Sequence, residues 1–307
     1  MKHQAHAHTD GHKTVLLNET VNGLALKRGG TAIDATTGAG GHACAIASKL
    51  GKKGTLLVID VDETALSDTK QRLAEADTKV LYVRGNFRDL KKIANEAGVT
   101  SADGIVFDLG WRAEQLTSGK GLSFSADEPL IMNLGDSASG LLTAKDIIAD
   151  WDEDEIAQMI REYGEERFSG RIARAIVEAR RKKDIATARA LAEIIAASVP
   201  SFYRRGRIHP ATRTFQALRI AVNDELETLK AGLSDALDLL VEGGRVAVIS
   251  FHSLEDRIVK HAFREAEDAG VGYRVTKKPI VPNLKERGDN PRARSAKLRI
   301  FEKEDQK

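Results

Sequence analysis

The stretch DATTGAGGH at residues 34–42 decides the fold of this chain. It follows a short apolar run that ends at Ile33, and it opens a segment of helical composition. A second apolar run begins at Thr55 and ends on Asp60. A strand, a glycine loop, a helix and a strand that ends on an acid are typical of nucleotide-binding folds. The order predicts a pocket for an adenosine cofactor, with Asp60 accepting both ribose hydroxyls.

The spacing of the glycines leaves the choice of cofactor open. Gly38, Gly40 and Ala43 satisfy the relaxed dinucleotide pattern, so a nicotinamide-dependent oxidoreductase is one interpretation. Asp34 lies directly before the loop, where its charge would repel a diphosphate but attract a cationic methionine moiety. Asp34 therefore favours S-adenosylmethionine.

The length of 307 residues is enough for one large domain or two modest ones. No apolar run is long enough to span a membrane, and no signal-peptide pattern is present, so we expect a cytoplasmic protein that does not bind membranes. The single cysteine, Cys44, excludes an internal disulfide. Four of the eight histidines fall irregularly within the first twelve residues, and we predict no metal site from them.

Positive charge is concentrated in one part of the chain, although the net charge is only +2. From Arg161 to Arg219 there are fourteen Arg or Lys and six Asp or Glu, a surplus of eight positive charges. One interpretation is a solvated helical face. The other is a surface that binds phosphates, which the predominance of arginine favours.

Apolar runs that predict strands alternate with helical segments, except in one long central part. The runs are residues 31–34, 55–60, 80–84, 104–109, 244–251, 272–281 and 296–302. Residues 111–210 show only helical spacing, and one long helix is predicted from Thr214 to Val241. We therefore predict an α/β fold, a Rossmann-like parallel sheet with helices on both faces, with the last two strands antiparallel at its edge. An inserted all-helical domain would interrupt it.

Five further segments have unusual compositions. They are TVLLNE at 14–19, YGEERF at 163–168, HPATRTFQALR at 209–219, SFHSLEDR at 250–257 and NPRARSAKLR at 290–299. Together with the glycine loop, they resemble the bacterial family that methylates the exocyclic N4 of a cytidine in the decoding region of 16S ribosomal RNA. The resemblance extends from about His12 to Lys303.

The resemblance implies an S-adenosylmethionine-dependent methyltransferase whose partner is 16S rRNA in the small ribosomal subunit. It implies a methyltransferase domain at residues 1–111 and 212–307, interrupted by a helical substrate-recognition domain at 112–211. Carried over by motif, the cofactor-binding residues are Gly40, Gly41, His42, Asp60, Phe87, Asp108 and Gln115.

The chemistry of these residue types agrees with much of that assignment. Phe87 is suited to lie against an adenine face, although a buried core position is the alternative. Asp108 ends the fourth predicted strand, near the reactive centre of an open sheet. We predict Asp108 as the catalytic acceptor of a proton from the amino nitrogen, with a backbone carbonyl of Leu109 or Gly110 as the alternative.

The target base must leave its stack to be methylated, which suits an RNA held by phosphate contacts and stacking. The candidates for binding RNA are Trp111, Arg171, Arg174, His209, Arg213, Arg257, Arg292 and Arg294. For each arginine, a surface salt bridge is an equally good interpretation. His209 is expected either to stack near the domain junction or to cap the helix after Pro210.

Two segments beside the predicted cofactor site depart from the family. VSSxQLD is replaced by WRAEQLT at 111–117, and PLDMRMD by PLIMNLG at 129–135. These changes leave a second hypothesis open, in which the chain is a non-catalytic ribosome-assembly factor that retains the pocket and the RNA surface.

Overall fold

The structure is a computed structural model that describes residues 13–110, 118–134 and 141–304. Within these ranges, seven strands form one sheet in the order β3-β2-β1-β4-β5-β7-β6. The strands are β1 (Thr31–Asp34), β2 (Thr55–Asp60), β3 (Lys79–Arg84), β4 (Ala102–Asp108), β5 (Leu240–Ser250), β6 (Gly272–Arg274) and β7 (Lys297–Lys303). Strands β1 to β5 are parallel, whereas β7 is antiparallel to both of its neighbours.

Helices connect these strands. They are α1 (Leu17–Gly23), α2 (Gly41–Leu50), α3 (Glu63–Arg72), α4 (Leu90–Glu96), α5 (Ala144–Asp150), α6 (Glu153–Gly164), α7 (Ser169–Arg180), α8 (Ala188–Ser198), α9 (Ser201–Arg204), α10 (Thr212–Asn223), α11 (Glu225–Leu239), α12 (Ser253–Asp268) and α13 (Leu284–Asp289). Short 3-10 turns cover Phe87–Asp89 and Pro291–Ser295. None of the described helices combines the length and the apolar character needed to cross a membrane.

Both faces of the sheet are covered, because successive strand residues point to opposite sides. In β2, Leu57 and Ile59 join the apolar cluster under α4, α11 and α12. Leu56 and Val58 join the cluster under α1, α2 and α3. All four side chains are fully buried. The predicted Rossmann-like sheet with helices on both faces and an antiparallel edge is confirmed.

The helices between β4 and β5 pack around an apolar cluster of their own. Ile147, Ile160, Ile176 and Leu191 contribute to it from α5, α6, α7 and α8. Leu218 of α10 belongs to the same cluster. The proposed limits of an inserted domain, residues 112 and 211, stay a prediction.

The single helix predicted from Thr214 to Val241 is wrong. Two helices, α10 and α11, meet at Asp224, whose backbone is left-handed with φ 47°. The Asn223 amide explains why α10 ends there, because its Nδ2 donates to the carbonyls of Met132 and Arg219 at 2.9 and 2.8 Å.

The sixth strand is also shorter than predicted. It ends at Arg274, and beyond it only a single bridge pairs Ile280 with Leu298. The Thr276 hydroxyl donates to the carbonyl of Lys278, which closes a turn that interrupts the strand.

Candidate active site

The carboxyl ends of β1, β2 and β4 meet beside a cavity of about 350 Å³, here called the cofactor cavity. Because these strands are parallel neighbours, their terminal acids Asp34, Asp60 and Asp108 come to the same edge of the sheet. Asp60, Asp108 and Phe87 border the cavity. Open α/β sheets bind their ligands at this edge.

The carboxylate of Asp60 is fixed by the backbone. Its Oδ2 accepts from the Gly38 N–H at 2.8 Å, and its Oδ1 accepts from the Asp62 N–H at 2.9 Å. The glycine loop and the end of β2 are thereby joined through one side chain. A carboxylate held in this position is suited to accept the hydroxyls of a ribose.

Phe87 has both a packing role and a place in the cavity wall. Its ring packs edge-on against Phe107, with 5.5 Å between the ring centroids. A Cβ on Gly232 would lie 2.7 Å from the Phe87 ring, so α11 approaches the ring closely only because residue 232 is glycine. Phe87 itself is half-buried and borders the cofactor cavity.

His42 and Asp108 form a pair beside the cofactor cavity. His42 is buried, and its Nδ1 lies 3.4 Å from Oδ2 of Asp108. Burial lowers the pKa of His42, but the hydrogen bond and the charge of Asp108 outweigh burial and raise it overall. Asp108 Oδ1 is buried and has no hydrogen-bond partner among the described residues. A buried acceptor of this kind requires a partner, and a ligand can supply it.

Asp34 adds a third acid beside this pair. It is 1% exposed, and burial raises its pKa from 3.8 to about 7, although His42 and a hydrogen bond from the Thr36 backbone act in the opposite direction. Asp60 and Asp108 make this edge of the sheet acidic, whereas Asp34, with a pKa of about 7, is only partly ionised at neutral pH. An acidic edge suits a cationic ligand better than a diphosphate.

The glycines of the loop serve mainly to let the backbone pack closely. Gly40 has a φ of 76°, and a Cβ on it would lie 2.7 Å from the Thr69 hydroxyl. A Cβ on Gly41 would overlap the Thr14 side chain. Gly40, Gly41 and His42 do not border the cofactor cavity, whereas Gly38 does. Gln115 lies outside the described residues.

A second cavity, of about 430 Å³, adjoins the cofactor cavity and is here called the junction cavity. Leu109, Gly110, Arg219 and Glu255 border both cavities. Residues from three of the unusual sequence segments line it. They include Thr212, Phe215, Gln216, Phe251, His252, Arg292 and Ser295.

A buried polar cluster stands where the two cavities meet. Arg219, 8% exposed, donates to both carboxylate oxygens of Glu225 at 2.7 and 2.8 Å. Burial lowers the pKa of Arg219, but the charge and hydrogen bonds of Glu225 outweigh burial and raise it. Ligand atoms of Glu225, His252 and Glu255 lie within 4.8 Å of one another. We assign no metal to them, because the Arg219 guanidinium already balances the charge of Glu225 and His252 Nε2 lies 3.2 Å from Oε1 of Glu255.

The six arginine candidates lie in three kinds of surroundings. Three of them bind groups of the protein itself. Arg174 lies 3.3 Å from the Glu153 carboxylate. Arg213 donates to the Glu165 carbonyl at 3.0 Å, and Arg257 binds the Glu165 carboxylate at 2.8 Å. Arg292 borders the junction cavity. Arg171 and Arg294 are exposed.

His209 contacts neighbouring residues just before α10, but the N-cap residue of that helix is Ala211 and no side chain caps it, and a role of His209 in binding RNA stays a prediction. The Nδ1 of His209 accepts from the Ala211 N–H at 3.2 Å, just before α10 begins. Its ring also stacks on Phe124, with 4.5 Å between the centroids, and Phe124 borders the junction cavity. Trp111 lies outside the described residues.

Residues 202–208 form a basic tip within the positively charged stretch from Arg161 to Arg219, although none of its arginines is among the named candidates for binding RNA. Arg204, Arg205 and Arg207 are exposed there, and the described part of the chain gives them no salt bridge. Phe202 and Ile208 beside them are 61% and 57% exposed. The sequence FYRRGRI contained the signal, since arginines interleaved with apolar residues are typical of nucleic-acid contacts.

The sheet order, the acid at the end of β2 and the cofactor cavity define the class of the protein, a Rossmann-like S-adenosylmethionine-dependent methyltransferase. Residues 9–304 match the MraW methylase family, and the chain belongs to that family. The interpretation as a nicotinamide-dependent oxidoreductase is therefore wrong.

The chain is also similar to individual proteins of known name or structure. "Ribosomal RNA small subunit methyltransferase H" of Brevibacillus brevis is 46% identical over 95% of this chain and 98% of its own length. Among solved structures, an rRNA methylase from Streptococcus thermophilus has a TM-score of 0.45 at 13% identity, covering 94% of this chain and 95% of its own. A SAM-dependent O-methyltransferase from Thermotoga maritima has a TM-score of 0.43 at 10% identity, covering 95% of this chain and 65% of its own.

Proposed function

We propose that this chain transfers a methyl group from S-adenosylmethionine to the exocyclic N4 of a cytidine in the decoding region of 16S rRNA. The name of the Brevibacillus relative and the motif resemblance support this substrate. The structural observation that carries the proposal is the acidic cofactor cavity bordered by Asp60, Phe87 and Asp108.

The residues around the cofactor cavity fit this methyl donor. Asp60 would bind the ribose hydroxyls, and the Phe87 ring would lie against the adenine. The carboxylates near the cavity would favour the positive charge of the sulfonium. S-adenosylmethionine, when bound, supplies a methyl group on a cationic sulfur that leaves as a neutral thioether.

Asp108 is the proposed proton acceptor. The N4 lone pair of cytosine is delocalised into the ring, so N4 is a weak nucleophile. As N4 forms its bond to the methyl carbon, it becomes acidic and one N–H proton passes to the Asp108 carboxylate. His42 holds Oδ2 of Asp108 during this step, and alignment of the reacting atoms supplies much of the acceleration.

Three other predicted cofactor residues have supporting roles in this proposal. Gly40 and Gly41 let the loop pack closely, so that Gly38 can border the cofactor cavity. His42 orients Asp108 from beneath the cavity. Gln115 is kept as a cofactor-binding residue on the resemblance alone.

Recognition of RNA is assigned to the basic side chains of residues 112–211 and to the arginines nearby. Arg171 and Arg294, together with the basic tip, are exposed and offer positive charge to phosphates, and Arg292 borders the junction cavity. Arg174, Arg213 and Arg257 would have to exchange a contact within the protein for one with RNA. The partner is the small ribosomal subunit, and the place of action is the cytoplasm.

Deletion of the gene tests the proposal in the cell. Mass spectrometry of 16S rRNA should find N4-methylcytidine in the parent strain and lose it in the deletion strain. Expression of the intact chain should restore it. Unchanged N4-methylcytidine after the deletion would contradict the proposal.

A further inference from the structure

The junction cavity has no part in the proposed transfer of the methyl group or of the proton. Three segments that are distant in sequence build it: α10 supplies Phe215, the turn before α12 supplies Phe251, and the 3-10 turn supplies Ser295. Two of its walls are aromatic rings. Phe124 adds a third aromatic ring to the cavity wall. This ring packs edge-on against Phe215, with 5.3 Å between the centroids, and it also stacks on the His209 ring. Aromatic walls suit a flat base that has been extruded from a nucleic acid.

The junction cavity opens beside the cofactor cavity. The backbone after Asp108, at Leu109 and Gly110, borders both. A Cβ on Gly110 would lie 2.7 Å from the Phe251 ring, so this residue lets the end of β4 approach the aromatic wall. A base in the junction cavity would therefore lie next to a methyl donor in the cofactor cavity, as direct transfer requires.

Of the acidic residues that the structure describes, only Glu255 borders both cavities. It is 5% exposed, and its Oε2 accepts from the backbone N–H groups of Phe251 and His252 at 2.7 and 3.2 Å. These contacts hold the carboxylate at the start of α12. An ionised carboxylate accepts hydrogen bonds but cannot donate them, so it favours an amino group over a carbonyl oxygen.

We propose that the junction cavity binds the target pyrimidine base and that Glu255 accepts a hydrogen bond from its exocyclic amino group, which selects cytosine over uracil. The inference rests on the proposed function, and it adds a base-binding site and a residue that determines specificity. Asp108 remains the acceptor of the transferred proton.

Glu255→Gln tests the amino contact. The amide oxygen can still accept from the backbone at the start of α12, because glutamine also serves in capping boxes. Single-turnover methyl transfer to small ribosomal subunits should fall about 10- to 100-fold, since a hydrogen bond to a charged group is lost. The affinity for S-adenosylhomocysteine, which is neutral at sulfur, should not change.

Glu155→Gln is the matched control. Glu155 occupies the same position in the capping box of α6, where it accepts from the Asp152 N–H at 2.8 Å. This variant removes a capping carboxylate away from both cavities, and it should retain the methyl-transfer rate of the unmodified protein.

Ser295→Trp tests the cavity without requiring turnover. Ser295 is exposed at the cavity wall, so an indole there would occupy the space proposed for the base. In ligand-observed NMR with protein saturated with S-adenosylhomocysteine, cytidine 5′-monophosphate should give a stronger signal than uridine 5′-monophosphate. Ser295→Trp should abolish the cytidine signal. Ser101→Trp, at an exposed position just before β4, should retain it.

The outcomes separate this inference from the proposed function. Equal cytidine signals from Ser295→Trp and the unmodified protein, or no signal from the unmodified protein, would contradict the base-binding site. A rate unchanged by Glu255→Gln would remove Glu255 from amino recognition. An unmodified protein that binds cytidine monophosphate through this cavity but methylates no subunit would support the site and contradict the proposed function.

Discussion

The imidazole Nδ1 of His42 lies 3.4 Å from Oδ2 of Asp108. His42 is in the first turn of α2, directly after the glycine loop, and Asp108 is the last residue of β4. One buried contact therefore fixes the loop relative to the proposed proton acceptor. Since His42 does not border the cofactor cavity, we interpret it as a positioning residue for Asp108.

His42→Asn should lower kcat for methyl transfer and leave the KM for S-adenosylmethionine nearly unchanged. The physical reason is that the substitution releases Asp108 without removing a contact to the cofactor. Steady-state kinetics with small ribosomal subunits measures both constants. A raised KM with an unchanged kcat would instead make His42 a direct cofactor contact.

Asp34→Asn should stabilise the protein increasingly as the pH rises from about 4 to about 7. The pKa of Asp34 is raised from 3.8 in the unfolded chain to about 7 in the folded protein, so the folded state binds the proton more tightly. The contribution of Asp34 to stability is therefore present below pH 4 and lost as the pH rises through 7. Asparagine at position 34 does not ionise, so the variant avoids this loss of stability.

Denaturant unfolding of Asp34→Asn and the unmodified protein measures this effect as a difference in the free energy of unfolding at each pH. The difference should grow in favour of the variant up to pH 7 and then level off. A difference that does not vary with pH would show that Asp34 has an ordinary pKa in the folded protein.

Asp60→Asn should weaken S-adenosylmethionine binding about 10- to 100-fold, because the ribose hydroxyls lose a charged acceptor. Asparagine has one acceptor oxygen, so it keeps only one of the two backbone bonds, from Gly38 or from Asp62. Asp62→Asn is the control, since the Asp62 carboxylate caps α3 and does not border the cavity. Calorimetry that gives equal affinities for both variants would remove Asp60 from the site.

The strands could be predicted from the sequence because apolar runs and terminal acids are local signals. The break at Asp224 could not, because it depends on a contact between Asn223 and Met132, 91 residues away in sequence. The same limit applies to the site. Asp60 follows from its place at a strand end, whereas the approach of Glu255 to the end of β4 arises only from the folding of distant segments. The helix-rich centre was predicted, but the exposure of the basic tip was not.

RNA affinity should depend steeply on salt, and the basic tip should contribute to that dependence. If Arg204, Arg205 and Arg207 each contact a phosphate, replacing all three with glutamine should flatten the slope of log affinity against log salt by about 2.1. Replacing Arg292 and Arg294 should flatten it by about 1.4 on the same relation.

Fluorescence anisotropy with single-stranded 16S rRNA fragments measures these slopes. Lys52→Gln with Lys53→Gln is the control, because both lysines are exposed in the turn before β2, at the sheet edge opposite the cofactor cavity. A tip variant with the slope of the unmodified protein would show that those arginines do not contact RNA.

The segments that depart from the family make catalysis the central question. WRAEQLT at 111–117 lies outside the described residues, and Asn133 stands at the cofactor cavity where the family has arginine. The cavity nevertheless retains Asp60, Phe87 and Asp108. We therefore expect a working enzyme.

Single-turnover transfer of a labelled methyl group from S-adenosylmethionine tests this claim most directly. The acceptor is the small ribosomal subunit purified from a strain that lacks the enzyme. We predict that the label appears at N4 of one cytidine, with close to one labelled methyl group for each subunit. Folded, cofactor-bound protein that transfers no label to these subunits would contradict the account and favour a non-catalytic assembly factor.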